Sequence, residues 1–274
     1  MFRRLGVVLI ATAALAVVPA ALAGYPSPWA AQGGEGVMSN DGLIRFVTFG
    51  AGQKTVVTGI NTSDGSVWKA HAIDGSYGVP MLTQNGTAGG MFRDGSTFVL
   101  QSTGYHRTTS FRLISTTTLG PLDAIRLEGT FAFDALSPDG SRLYLIQHTS
   151  AKDLQHYVVR AYDLKRHTLL PGRIADKTQK SWVMQGWPAA RTATSNGRWV
   201  YTLYANPGGY PFVHALDTVR GIAHCVGFAW TSSDQGLLIN STLAVKGPKL
   251  LVRMPSGQLY RVIDRQTWRV TKRL

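Results

Sequence analysis

The chain has 274 residues, 28 Lys plus Arg against 15 Asp plus Glu, a formal net charge of +13 and a single cysteine. One cysteine excludes an intramolecular disulfide framework, and 44% hydrophobic residues with only 16% charged exclude a solvated, disordered polyelectrolyte. Two glutamates, Glu35 and Glu128, leave few carboxylates for acid–base chemistry.

The N-terminus reads MFRRLGVVLIATAALAVVPAALAG. A short basic head at Arg3 and Arg4, an apolar run over 5–18 and the small residues Ala21 and Ala23 form the layout of a secretory leader. The expected division is a signal peptide at 1–23, cleaved after Ala23, and a single domain at 24–274. The apolar run is too short to span a bilayer comfortably, so no transmembrane segment is expected in the mature chain. Without the leader 251 residues and a net +11 remain, enough to bury a core in one domain. The expected location is secreted, periplasmic or in the cell envelope. In such a compartment a lone thiol is best kept buried, and Cys225 sits in an apolar run.

Along the mature chain no apolar period of 3.6 persists beyond about two turns. Short runs of β-branched and aromatic residues alternate instead with Gly, Asn and Asp clusters, an all-β pattern. A hairpin glycine recurs at Gly42 (NDGLIRFV), Gly95 (RDGSTFVL), Gly140 (PDGSRLYL), Gly197 (SNGRWVYT) and Gly247 (VKGPKLLV), at intervals of 53, 45, 57 and 50 residues. Each is followed by a third strand, such as YVVRAYDLKR or FVHALDTVRG, and then by a fourth: 67–73, 123–127, 169–174, 222–226 and 268–272. Four antiparallel strands about every 50 residues predict a five-bladed β-propeller, because one blade buries neither face alone and stacking around a ring buries both. The first repeat opens on its innermost strand near 36–40 and the last ends on its outermost. No strand is therefore expected to cross the seam, unless 27–32 supplies a short edge.

The unit SPDGSRLYL…YVVRAYDL (residues 137–164) resembles the blades of bacterial YVTN-type and TolB-like propellers. INTSDGSVWKA (residues 60–70) is similar to the blade-closing turn of quinoprotein-type repeats. The resemblance implies a fold superfamily that serves enzymes, scaffolds and binding proteins alike, and so implies no particular activity.

In such a meander the glycine hairpins share one face, and the longer second-to-third strand and between-blade loops share the other. The loop-rich face carries Tyr105, His106, His156, Trp182, Trp187, Tyr204, Tyr210 and Trp230. Rings beside Asn and Asp suit stacking on sugars, so these eight are the candidate ligand-binding residues. The alternative for each ring is a wedge between blades.

Catalytic constellations are sparse. A glycosidase needs two facing carboxylates on innermost strands, and only Asp134 sits well inside one. The seven histidines show no metal-ligand spacing, and His148 with His156 is read as a hydrated surface pair flanking one loop. No metal or cofactor is expected, and no catalytic residue is assigned. The charge is densest in the last blade, with Lys246, Lys249, Arg253, Arg261, Arg265, Arg269, Lys272 and Arg273. That pattern suits anionic envelope polymers or phospholipid headgroups, without the aromatic-basic stripe of specific nucleic-acid readout; carbohydrate, from the aromatic loops, and a protein partner are the other partners expected. The expected function is a binding module of the envelope or extracellular space, with a hydrolase or lyase on a small ester or polysaccharide as the alternative.

Overall fold

The computed structural model describes residues 30–271 apart from 105–106, 179–182, 207–208 and 231–234. The expected leader, with Tyr105, His106 and Trp182, lies outside the described residues.

Five antiparallel sheets follow one another along the chain as the blades of a β-propeller. Blade I comprises β2 (Val37–Met38), β3 (Ile44–Ala51), β4 (Lys54–Asn61) and β5 (Val67–Asp74). Blade II comprises β6 (Tyr77–Pro80), β7 (Thr97–Ser102), β8 (Thr108–Ser115) and β9 (Pro121–Glu128). Blade III comprises β10 (Phe131–Leu136), β11 (Arg142–Ser150), β12 (Asp153–Asp163) and β13 (Thr168–Leu169). Blade IV comprises β14 (Trp187–Ala193), β15 (Trp199–Ala205), β16 (Phe212–Asp217) and β17 (Ile222–Gly227). After a 3-10 turn at Gln235–Asn240, blade V comprises β18 (Thr242–Lys246), β19 (Lys249–Arg253), β20 (Leu259–Asp264) and β21 (Val270–Thr271).

The five hairpin glycines all have positive φ, between +55° and +74°. At Gly140 the reason is local. Its amide donates to the Ser137 carbonyl, and Asp139 Oδ1 accepts from Ser137 Oγ (2.6 Å) and from the Ser141 amide (3.1 Å). The chain then leaves the turn through a left-handed residue, which glycine adopts without a Cβ clash. The Ser137 hydroxyl, then the Ser141 amide, hold the Asp139 carboxyl at about 2.

Alternation along the strands sorts side chains between neighbouring blades. On β16, Val213 and Ala215 enter the cluster shared with blade V, whereas Phe212 and Leu216 enter clusters shared with blade III. Comparable clusters join blade I to II around Phe46, Phe98 and Ile114, and blade II to III around Phe111, Phe131 and Leu145. None of the described clusters joins blade V to blade I.

Two features depart from the expected repeat. The expected fourth strand over 169–174 shrinks to Thr168–Leu169, because Pro171 has no amide to donate and Gly172 turns at φ +83°; Ile174 rejoins Val159 as an isolated bridge. The innermost strand of blade II is interrupted after Pro80 and resumes at Met91, which bridges to Phe98. The intervening excursion reaches past blade III, where the Gln84 amide donates to the Pro188 carbonyl of β14 (3.0 Å). A short N-terminal strand, β1 (Ala30–Ala31), does form, but it pairs with Val79 and Pro80 of β6 rather than with blade V. No strand is shared across the seam among the described residues.

Candidate functional site

Among the described residues, the innermost strands carry one buried ion pair. Arg191 of β14 donates from Nη1 to Asp134 Oδ1 of β10 (2.8 Å) and to Thr202 Oγ1 (2.9 Å), and from Nη2 to the Asp134 carbonyl (2.5 Å). Both side chains are nearly inaccessible. Register extends the row outward, since Arg191 pairs with Thr202, Thr202 with His214 and His214 with Cys225. The row divides two apolar clusters, one around Tyr157, Tyr204 and Phe212, the other around Tyr144, Val200 and Leu216.

Within it, His214 Nδ1 lies 3.5 Å from Cys225 Sγ, and His214 Nε2 is buried without a partner among the described residues. Burial pushes His214 down to about 4. Burial, with the Asp176 carboxylate second, pushes the Cys225 thiol up to about 12. Near neutral pH these are a neutral imidazole and an inert thiol, although Cys225 retains more exposure than the sequence suggested.

The candidate rings disperse. Tyr204 lies within β15, only 1% exposed, stacked on Phe212 at 5.1 Å and tilted against Tyr157 at 6.0 Å. Trp187 and Trp230 pack against the cluster between blades IV and V, and Trp230 meets Tyr260 edge-on at 4.8 Å. These three are interblade wedges. Tyr210 stands 68% exposed. His156 Nδ1 lies 2.6 Å from Asp153 Oδ2 at the surface. The expected His148–His156 surface pair does not form: β11 buries His148, whose Nδ1 lies 3.1 Å from the Leu154 carbonyl.

The described residues also line a large groove on the opposite, hairpin face. It measures about 880 Å³ and is walled by Thr192–Asn196, Arg198 and Trp199 of blade IV and by Leu243–Val245, Gly247 and Arg265 of blade V. Two arginines are held at it by their inner edges. Arg198 donates from Nε (3.1 Å) and Nη2 (2.8 Å) to Asp217 Oδ2. Arg265 donates from Nε to Tyr201 Oη (2.7 Å) and from Nη1 to the Gly247 carbonyl (2.7 Å). Arg198 Nη1 and Arg265 Nη2 have no hydrogen-bond partner among the described residues.

Trp199 shares this wall, with the Arg198 guanidinium 5.9 Å over its ring and with Tyr201 at 6.2 Å and Trp268 at 5.1 Å packed against it. Arg93 of blade II reaches in to donate to the Ser195 carbonyl (2.9 Å). Blade V sets six cations against one acid, Asp264, which caps the Gln266 and Thr267 amides. Sequence reasoning had located this charge but not the groove, since nothing in the repeat announces that Arg198 and Arg265 flank one opening.

No family model matches the chain, and no curated protein matches it. Solved structures are similar to it in part. Kuenenia stuttgartiensis hydrazine synthase matches at 15% identity and TM-score 0.45, over 88% of this chain and 78% of that one. TolB from Acinetobacter baumannii matches at 12% and 0.43, over 91% and 53%, and AztD from Citrobacter koseri at 14% and 0.42, over 83% and 58%. The chain thus spans little more than half the length of the last two. Likeness at that level brings neither ligand nor activity to this chain.

Proposed function

We propose that the chain is an exported propeller that holds a ligand or partner of the cell envelope or extracellular space without transforming it, and that the groove between blades IV and V is the contact site. The leader composition of residues 1–23 supports export. The observation that carries the binding reading is the pair of arginines, each tethered on one side and open on the other, around the Trp199 ring. Tethered donors lose little side-chain freedom when a ligand arrives.

The alternative, a hydrolase or lyase, needs an acid and a base poised near neutral pH. In the row between blades III and IV, Asp134 and Arg191 satisfy each other and His214 and Cys225 are shifted away from neutrality in opposite directions.

The test is an array of envelope polymers and glycans probed with residues 24–274. A retained ligand recovered chemically unchanged supports the reading. Turnover of an ester or glycosidic substrate, or retention of nothing, overturns it.

A further inference from the structure

The hairpin repeat contains a substitution that the fold does not require. The residue before the hairpin glycine is Asp41, Asp94 and Asp139 in blades I, II and III, but Asn196 in blade IV and Lys246 in blade V. In the first three the carboxylate accepts the amide two residues on: Leu43, Ser96 and Ser141. Asn196 does the same work with its amide oxygen, accepting from the Arg198 amide (3.1 Å) and from Thr194 Oγ1 (2.7 Å). An aspartate would fit this turn. The acid is missing from the two hairpins that border the groove, and the hairpins of blades I, II and III keep it.

We infer that the groove between blades IV and V takes an anionic saccharide, a sugar unit bearing a carboxylate or a phosphate ester. This rests on the binding reading above and names its ligand class. The geometry divides the labour. Arg198 Nη1 and Arg265 Nη2 face an oxyanion with their open edges. Trp199, half-buried in the groove wall with the Arg198 guanidinium 5.9 Å over its ring, offers apolar surface beside the oxyanion for the carbon face of a sugar, and the hydroxyls of Thr192 and Ser195 offer partners for ring hydroxyls. Asn196 and Lys246 keep negative charge off the rim, where a carboxylate within a few ångströms of the ligand would repel it. An acidic peptide would satisfy the arginines but leave the ring and the hydroxyl wall unused.

The test uses residues 24–274 in titrations with hexagalacturonate, its methyl ester, maltohexaose with and without a 6-phosphate, and hexaglutamate. Asn196→Asp is the key variant, because it preserves the turn acceptor and adds one charge. At least one acidic hexasaccharide is expected to bind tenfold or more tightly than its neutral counterpart and than hexaglutamate. Asn196→Asp is expected to weaken that binding at least threefold, leaving the unfolding midpoint unchanged. Equal binding of acidic and neutral oligomers, equal binding of hexaglutamate, or an Asn196→Asp variant that binds like the parent would each overturn the inference. A neutral ligand retained at the groove would leave the binding reading standing; failure of every oligomer together with an empty array would remove both.

Discussion

Arg198 and Asp217, nineteen residues apart, are joined at 2.8 Å from Nη2 to Oδ2, with the aspartate side chain fully buried and the arginine 36% exposed. The same carboxylate also accepts the Val219 and Arg220 amides through Oδ1. Burial alone would raise its pKa, but these bonds and Arg198 outweigh burial and hold it below the ordinary carboxylate value. One aspartate thus closes the turn between β16 and β17 and aims an arginine at the groove.

Asp217→Asn is therefore expected to lower stability by about 1–3 kcal/mol, since hydrogen bonds to a charged acceptor are among the stronger ones, and to weaken ligand retention at the same time. Denaturant midpoints and array retention read the two effects separately. A variant as stable as the parent would show that the carboxylate is not what holds this turn.

The pH dependence of stability should carry the mark of His214. Its folded pKa, about 4, lies below the unfolded value of 6.5, so the unfolded chain binds more protons between these values. Its contribution is fully present above pH 6.5 and is lost as pH falls toward 4. Between pH 7 and pH 5 the loss is on the order of 2 kcal/mol. Asp134, Arg191, Asp176 and Cys225 are the charged and titratable groups around it. His214→Leu should flatten that interval while leaving the fold intact, and chemical denaturation at the two pH values measures it. An unchanged slope would locate the titration elsewhere.

Tyr204 and Tyr210 test the division between wedges and exposed rings. Tyr204→Ala removes a ring packed on Phe212 and Tyr157 and should cost about 3–5 kcal/mol. Tyr210→Ala, at an exposed position, should stay within about 0.5 kcal/mol. Reversed effects would contradict the packing between blades III and IV.

Among the described residues the seam between blades V and I has neither a shared strand nor an apolar cluster, while Met38, Phe49 and Val67 of blade I stand exposed. Local opening should therefore be easiest there, and native-state amide exchange, loops aside, should be fastest in β3–β5 and β19–β21. Uniform protection around the five blades would mean that packing at the seam equals that elsewhere.

The architecture was legible because each hairpin announces itself locally: a glycine with positive φ, preceded in blades I to IV by a side-chain acceptor, then alternating strands, as at Asp139 and Gly140. The third strands and three of the five fourth strands lie where the repeat predicts. The strand over 169–174 was lost to Pro171 and Gly172, whose effect depends on whether a partner needs the missing amide. Burial was not legible. Tyr204 and Tyr210 read alike in one aromatic, glycine-rich stretch, yet one ends in the core and the other in solvent, because β15 is buried on both faces through Ala205 and Tyr210 lies beyond its end. The groove was hidden for another reason: Arg198 and Arg265 are 67 positions apart in the chain and meet only through the stacking of two blades. Asn196 and Lys246 were visible in the repeat alignment, but their meaning required knowing that their hairpins adjoin.

The central claim is that ligand is held on the hairpin face rather than by the aromatic loops opposite. Amide exchange of residues 24–274, with and without the ligand retained on the array, tests it most directly. The account predicts added protection over 192–199 and 243–249, with residues 149–156 and 209–211 unchanged. Protection confined to those loops, with the two hairpins exchanging as in the free protein, would contradict it.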